Sequence, residues 1–281
     1  MSLVTWGTSP WGQPVILHAA WNLLWFSLAA GAAFAVAHAV WVRLRTGSAG
    51  TAPHSPGKAG IPRHSLAARL FHWVMAAAML TLLGTAFLPK LGLRFDWVGV
   101  HVLAGAVLVA ALVFHVVHAL CCMDFLSIWP ESADLAELKA LFASSEQETK
   151  KALPGKYPLG NKLFHLAIVV LGLTMAATGL VLLTRVRNPF LARDPYRLFS
   201  DGDWGVVYAL HGLAGLALVA LVIIHVYFAF RPEKRPVTKS MLTGPLDRDY
   251  YLSHHDPARW DPRQGSAPTT PNGDAVTHDG V

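Results

Sequence analysis

The chain has 281 residues, of which 53% are hydrophobic and only 14% charged, a balance that excludes an ordinary soluble domain and points to a membrane protein. Its two cysteines, adjacent at Cys121 and Cys122, are too few for an iron-sulfur cluster or a zinc site, and no C-x-x-C-H occurs for covalent haem attachment. A formal charge of +6 would suit a nucleic-acid binder, but the basic residues are distributed as membrane-orienting charges instead.

Five apolar stretches, near residues 15–42, 68–89, 98–122, 161–184 and 205–230, reach the roughly 20 residues that a bilayer crossing requires. The first is too long for a signal-peptide core and is expected to be retained. The connections after the first and third spans and the C-terminal tail, each taken with the first turn that follows, hold 17 of the 23 Lys and Arg residues. By the positive-inside rule the N-terminus then faces out and the C-terminus in. Residues 131–151 read as a short amphipathic helix on the inner side, and the tail beyond about 262, rich in Pro, Gly and Thr, reads as disordered. Gly-rich phosphate loops, H-E-x-x-H and G-x-S-x-G are all missing from the sequence.

An internal repeat is the strongest signal. Residues 100–116 and 210–226 are identical at nine of seventeen positions, including His101 and His211, His115 and His225, and the H-x-x-A-G that places Gly105 and Gly215. The preceding spans echo each other as well, Arg69-Leu70-Phe71-His72 against Lys162-Leu163-Phe164-His165. The second and third spans therefore read as a duplicate of the fourth and fifth.

The paired histidines are 14 residues apart, two heptads, so both members lie on one side of their helix and about 21 Å apart along it. An imidazole in hydrocarbon is costly unless satisfied, and bis-histidine ligation of haem b would satisfy it. Gly105 and Gly215, one turn after each outer histidine, leave room for a flat macrocycle. Topology brings His101 and His211 together at the outer surface, and gathers His72, His115, His165 and His225 at the inner one. An inner site could be built from His72 with His225, His115 with His225, or His115 with His165. His18 and His38, both placed in the first span, read as hydrogen-bonded packing residues, and the histidines at 54, 64, 254, 255 and 278 as solvated. A transporter would show broken helices and buried carboxylates, yet none of the five stretches contains Asp or Glu; a haem-free membrane anchor would be colourless.

The segments Arg69-Leu70-Phe71-His72-Trp73, Val100-His101 with Gly105, Gly155-Lys156-Tyr157 with Gly160 and Lys162, and Leu210-His211 through His225, Tyr227 and Phe230 resemble the cytochrome b (gamma) subunit of membrane-bound respiratory formate dehydrogenases. The stretch His254-His255, Pro257, Arg259-Trp260 is similar to that family's basic C-terminal segment. Di-haem subunits of nickel-iron hydrogenases are related. The resemblance, over about 65–260, implies an all-α integral membrane protein of the bacterial inner membrane with a four-helix di-haem bundle (68–230); this chain departs from the family by an extra N-terminal transmembrane helix (1–45) in front, joined by a cytoplasmic linker (46–67), and ends in a cytoplasmic tail (231–281).

It further implies two haem b groups, the outer one on His101 and His211 and the inner one on His72 and His225. A quinone, menaquinone or ubiquinone, is implied near Lys156, Tyr157, Asn161 and His165, with Asn161 standing in for an Asn that the family carries where this chain has Pro158. Lys156 and Lys162 could equally anchor the helix at lipid phosphates. The implied partners are an iron-sulfur subunit and a molybdenum or tungsten catalytic subunit on the outer side, docking on the loop with Arg185, Arg187, Arg193, Arg197 and Asp201. The chain itself would be the quinone-reactive subunit of that complex.

Overall fold

A computed structural model describes residues 2–46, 60–123, 125–140, 153–194 and 198–262. Five helices are long and apolar enough to cross a membrane: α1 (Leu23–Thr46), α2 (Leu66–Phe87), α3 (Trp97–Cys122), α5 (Leu159–Leu182) and α6 (Asp201–Phe230). A short α4 (Asp134–Ala140) precedes α5, and α7 (Arg235–Thr243) and α8 (Arg248–His254) follow α6. Side chains along the spans such as Leu103, Val113 and Leu180 are exposed, as lipid-facing residues are. Local signals set the ends. Ser65 caps α2 by accepting from the Ala68 amide, and Ser200 caps α6 by accepting from the Asp203 amide. Left-handed Gly92 closes the turn after α2, where a Cβ would be strained.

The first span begins later than its apolar composition suggests. Residues before α1 form a β-hairpin, β1 (Val4–Thr8) with β2 (Pro14–Ala19), so the span starts at Leu23 rather than near residue 15 and His18 lies in a strand. Short alternating runs around a turn containing left-handed Gly12 pair more readily than they extend a helix. The hairpin seats on the first turns of α6: a Cβ on Gly205 would collide with the Ile16 carbonyl, and one on Gly212 would lie 2.8 Å from Ala19 Cβ. Trp21, immediately before α1, packs edge-on to Phe87 at the end of α2 and lies under Lys90 Nζ at 4.4 Å.

Helix α1 packs along α6, with Gly31 closely backed by Ile223. His38 meets the Tyr227 hydroxyl at 2.9 Å. The other four spans form the bundle. α2 lies along α3 through Ala78, Leu82, Ala104 and Leu108, and α5 lies along α6.

The inner end is closed by folded chain. A two-residue strand β3 (Ile61–Pro62) pairs with β4 (Pro245–Leu246), and Leu246, Tyr250, Tyr251 and Trp260 make a small separate core. The tail thus folds back across the bundle through residue 262; the disorder expected beyond it, and most of the 131–151 helix past Ala140, lie outside the described residues. Gly244, at φ +102°, carries the reversal into β4 and accepts amide bonds from Arg63 and His64.

Candidate haem-binding sites

At the outer end α3 and α6 present His101 and His211 to each other with ring centroids 6.3 Å apart. Two metal-imidazole bonds of roughly 2 Å each, with half a ring on either side, would put the centroids of a trans pair about 6 Å apart. Each ring is oriented from behind. Thr85 Oγ1 lies 2.7 Å from His101 Nδ1, and Thr178 Oγ1 lies 2.8 Å from His211 Nδ1.

Each hydroxyl has one proton. Thr85 donates it to the Thr81 carbonyl at 2.8 Å and Thr178 donates to the Thr174 carbonyl at 2.6 Å, the back-bond a threonine makes in an apolar helix. The hydroxyl oxygens must then accept from Nδ1–H. This assigns the Nδ1-protonated tautomer to both histidines and leaves both Nε2 lone pairs available to a metal. Gly179 backs His211, where a methyl on the glycine would sit 3.4 Å from the ring Cε1, while methyls on Gly105 and Gly215 would meet nothing closer than 3.8 Å. There is room one turn from each imidazole.

The inner end holds two imidazole pairs. His72 of α2 faces His225 of α6 at 6.2 Å, and His115 of α3 faces His165 of α5 at 6.5 Å. Two of the three inner pairings open from the sequence are therefore formed at once, and in both His115 and His225 look to other helices than each other. Phe164 stacks on His225 and Phe71 on His115. The supporting residues Thr85, Thr178, Phe71 and Phe164 were not singled out from the sequence. Their signal was there: Thr85 follows His72 at the same interval by which Thr178 follows His165.

The other candidates separate. Lys156 and Tyr157 lie beside Arg63, whose guanidinium carbon is 6.0 Å from the Tyr157 ring, and Lys156 is within electrostatic reach of His64 along with His72. Asn161 is exposed in the first turn of α5, and His165 is committed to His115. Lys162 is not at the lipid surface. It is buried and bonded to Asp134 at 2.9 Å and Glu131 at 3.1 Å. Asp134 also receives Arg259 at 2.7 Å, and Glu137 receives Arg259 at 3.2 Å, so these ions clamp α4, α5 and the tail together. Burial pushes the Asp134 carboxyl up, but the bonds from Lys162, the Glu131 amide and Arg259 outweigh it and hold it below its ordinary range.

His255 is buried and His64 half-buried rather than solvated. His255 donates Nδ1–H to the Gly155 carbonyl at 2.7 Å and accepts from Arg63 at 3.4 Å through Nε2. Burial, with Arg63 beside it, lowers His255 to about 4 despite the Gly155 bond, and burial with Arg63 lowers His64 to about 3. On the outer side Arg185 is tucked over Trp204 at 4.7 Å beneath the hairpin, whereas Arg187 and Arg193 are exposed; Arg197 lies outside the described residues.

Residues 63–244, more than half of the chain and including all four bundle helices, match the prokaryotic cytochrome b561 family. The chain belongs to that family. It is accordingly a b-type membrane cytochrome of electron transfer, and its five apolar helices fit a multi-pass protein of the bacterial inner membrane. Among curated proteins none matches the chain. The match to the cytochrome b561 family begins at Arg63, so the hairpin and α1 precede it and the Arg259 clamp follows it. The imidazole pairs fit haem b: rings from different helices 6.2–6.5 Å apart, a fixed tautomer at the outer pair, and apolar spans around them.

Proposed function

We propose that this cytochrome is the membrane subunit of a respiratory oxidoreductase of the formate dehydrogenase type. It takes electrons on the outer side from an iron-sulfur subunit served by a molybdenum or tungsten subunit, and passes them to a quinone at the cytoplasmic side. His101 with His211 and His72 with His225 are the pairs that would hold the haem irons. Haem b bound there supplies one-electron carriers at two depths of the membrane. The observation that carries the reading is the outer pair, two imidazoles from different helices with ring centroids 6.3 Å apart, each with Nδ1 engaged by a threonine so that Nε2 would be the nitrogen left to a haem iron.

The protein's own part is positional. Thr85 and Thr178 hold the outer imidazoles in one tautomer and orientation, and the apolar spans exclude water from them. At the inner end Lys156 and Tyr157, next to His64 and Arg63, offer donors at the polar margin where a quinone taking up protons must sit. Inward movement of each electron works with about 2.3 kcal/mol per 100 mV of membrane potential. The family match favours one second reading, a nickel-iron hydrogenase partner, because related di-haem subunits serve those enzymes on the same four-helix core.

The test is a reduced-minus-oxidised spectrum of the purified chain, followed by the His101→Ala, His211→Ala, His72→Ala and His225→Ala variants. Each outer change should remove the same b-type component, and each inner change the other. A colourless wild-type chain would refute the proposal. Co-purification from the native membrane separates the partners: a four-cluster ferredoxin-like subunit with a molybdenum protein, or a nickel-iron pair.

A further inference from the structure

The two halves of the bundle correspond by constant offsets: Phe71 to Phe164, His72 to His165 and Thr85 to Thr178, then His101 to His211 and His115 to His225. Exchange of the halves carries the His101–His211 pair onto itself. The same exchange carries His72–His225 onto His165–His115, which are different residues. A site that lies on the pseudo-twofold exists once, and a site off it exists twice.

The structure contains both copies. The ring separations are 6.2 Å and 6.5 Å, and the stacked phenylalanine recurs, Phe164 on His225 at 5.3 Å and Phe71 on His115 at 4.2 Å. What recommends the first inner pair as a ligand pair is repeated in the second.

We infer that His115 and His165 form a third bis-histidine site, and that its ligand is a further haem b. A bare metal ion needs three or four protein donors, and the described residues contain no group of three His, Cys, Asp or Glu that could supply them. Two opposed imidazoles suit a planar macrocycle that brings its own four nitrogens. Leaving them unmetallated would put two imidazoles on the inner thirds of α3 and α5 with one another as partners, a costly arrangement in a membrane.

The inference rests on the bis-histidine reading of the other pairs, and one measurement separates the two. The full-length chain, expressed with a haem precursor supplied and purified in detergent, is assayed for haem by pyridine haemochrome against protein by amino-acid analysis. Three haems per chain are expected, falling to two in His115→Ala, His165→Ala and His72→Ala, and to one in His72→Ala/His165→Ala. His165→Met guards against a variant that fails to fold: a thioether ligand should keep the count at three and raise the potential of one component. Two haems per chain, unchanged in His115→Ala, would overturn the third site and leave the di-haem reading intact. Three haems unchanged in both His115→Ala and His165→Ala would also overturn it, and fewer than two would sink both readings.

Discussion

The two ends of the bundle solve the same problem differently. At the outer end one imidazole pair sits where the two halves meet, each ring held from behind by a threonine one helix away. At the inner end two pairs sit away from that axis, with a phenylalanine on one ring of each and a folded tail across them. Duplication of a two-helix unit thus gives a single, doubly supported site on the axis and twin sites beside it. The number of copies follows from position relative to the axis, not from the number of histidines.

That contrast can be broken most severely at the imidazoles. His101→Ala or His211→Ala should abolish the outer component entirely while leaving the inner spectrum in place, as read by redox difference spectroscopy. Asp134→Ala should come next. It leaves buried Lys162 with Glu131 alone and Arg259 with Glu137 alone, at a cost of about 3 kcal/mol, the low end of the range for breaking a buried ion pair because each cation keeps one partner. A thermal melt followed by tail proteolysis would register it, with the outer spectrum unaltered.

A smaller effect belongs to the threonines. Thr85→Val removes the acceptor for His101 Nδ1–H, and Thr178→Val does so for His211; each should weaken retention of the outer haem by about 10- to 100-fold, and serine should restore it. Comparable changes at Phe71 or Phe164 should leave the outer component untouched, which is what an axis-specific support requires.

The mildest expected response is to pH and is confined to the inner end. His255 is held neutral to about 4 in the folded clamp, against an ordinary value of 6.5. Above 6.5 its contribution to the clamp is complete. As pH falls from 6.5 to about 4, the released tail binds a proton that the folded one refuses, so clamp stability declines across that window. Limited proteolysis of the tail should therefore rise on acidification, and His255→Gln should flatten the response.

Much of the fold was legible because a membrane imposes a strong constraint on composition. Five apolar runs of bilayer length could scarcely be anything but helices once every backbone group had to be satisfied internally. The outer pair was legible for a similar reason, since the 14-residue spacing in both halves leaves one partner for each outer histidine. The start of α1 was not: residues 14–19 are apolar enough to extend a helix, and only pairing with Val4–Thr8 over Gly205 and Gly212 makes them a strand. Lys162 misled for a comparable reason. A lysine at the start of a span ordinarily snorkels to phosphate, and this one turns inward because Asp134, distant in sequence, is there to receive it.

By itself the sequence determined the four bundle spans, the repeat and the depth of the histidines within them, all of which depend on spacing along one helix. Only the tertiary structure decided which imidazoles face each other, which threonine fixes which tautomer, and that Arg63, His255 and Arg259 close the inner end. Those choices depend on how helices sit side by side, and a ligand pair drawn from two helices is a property of the distance between them, which no single stretch of chain encodes.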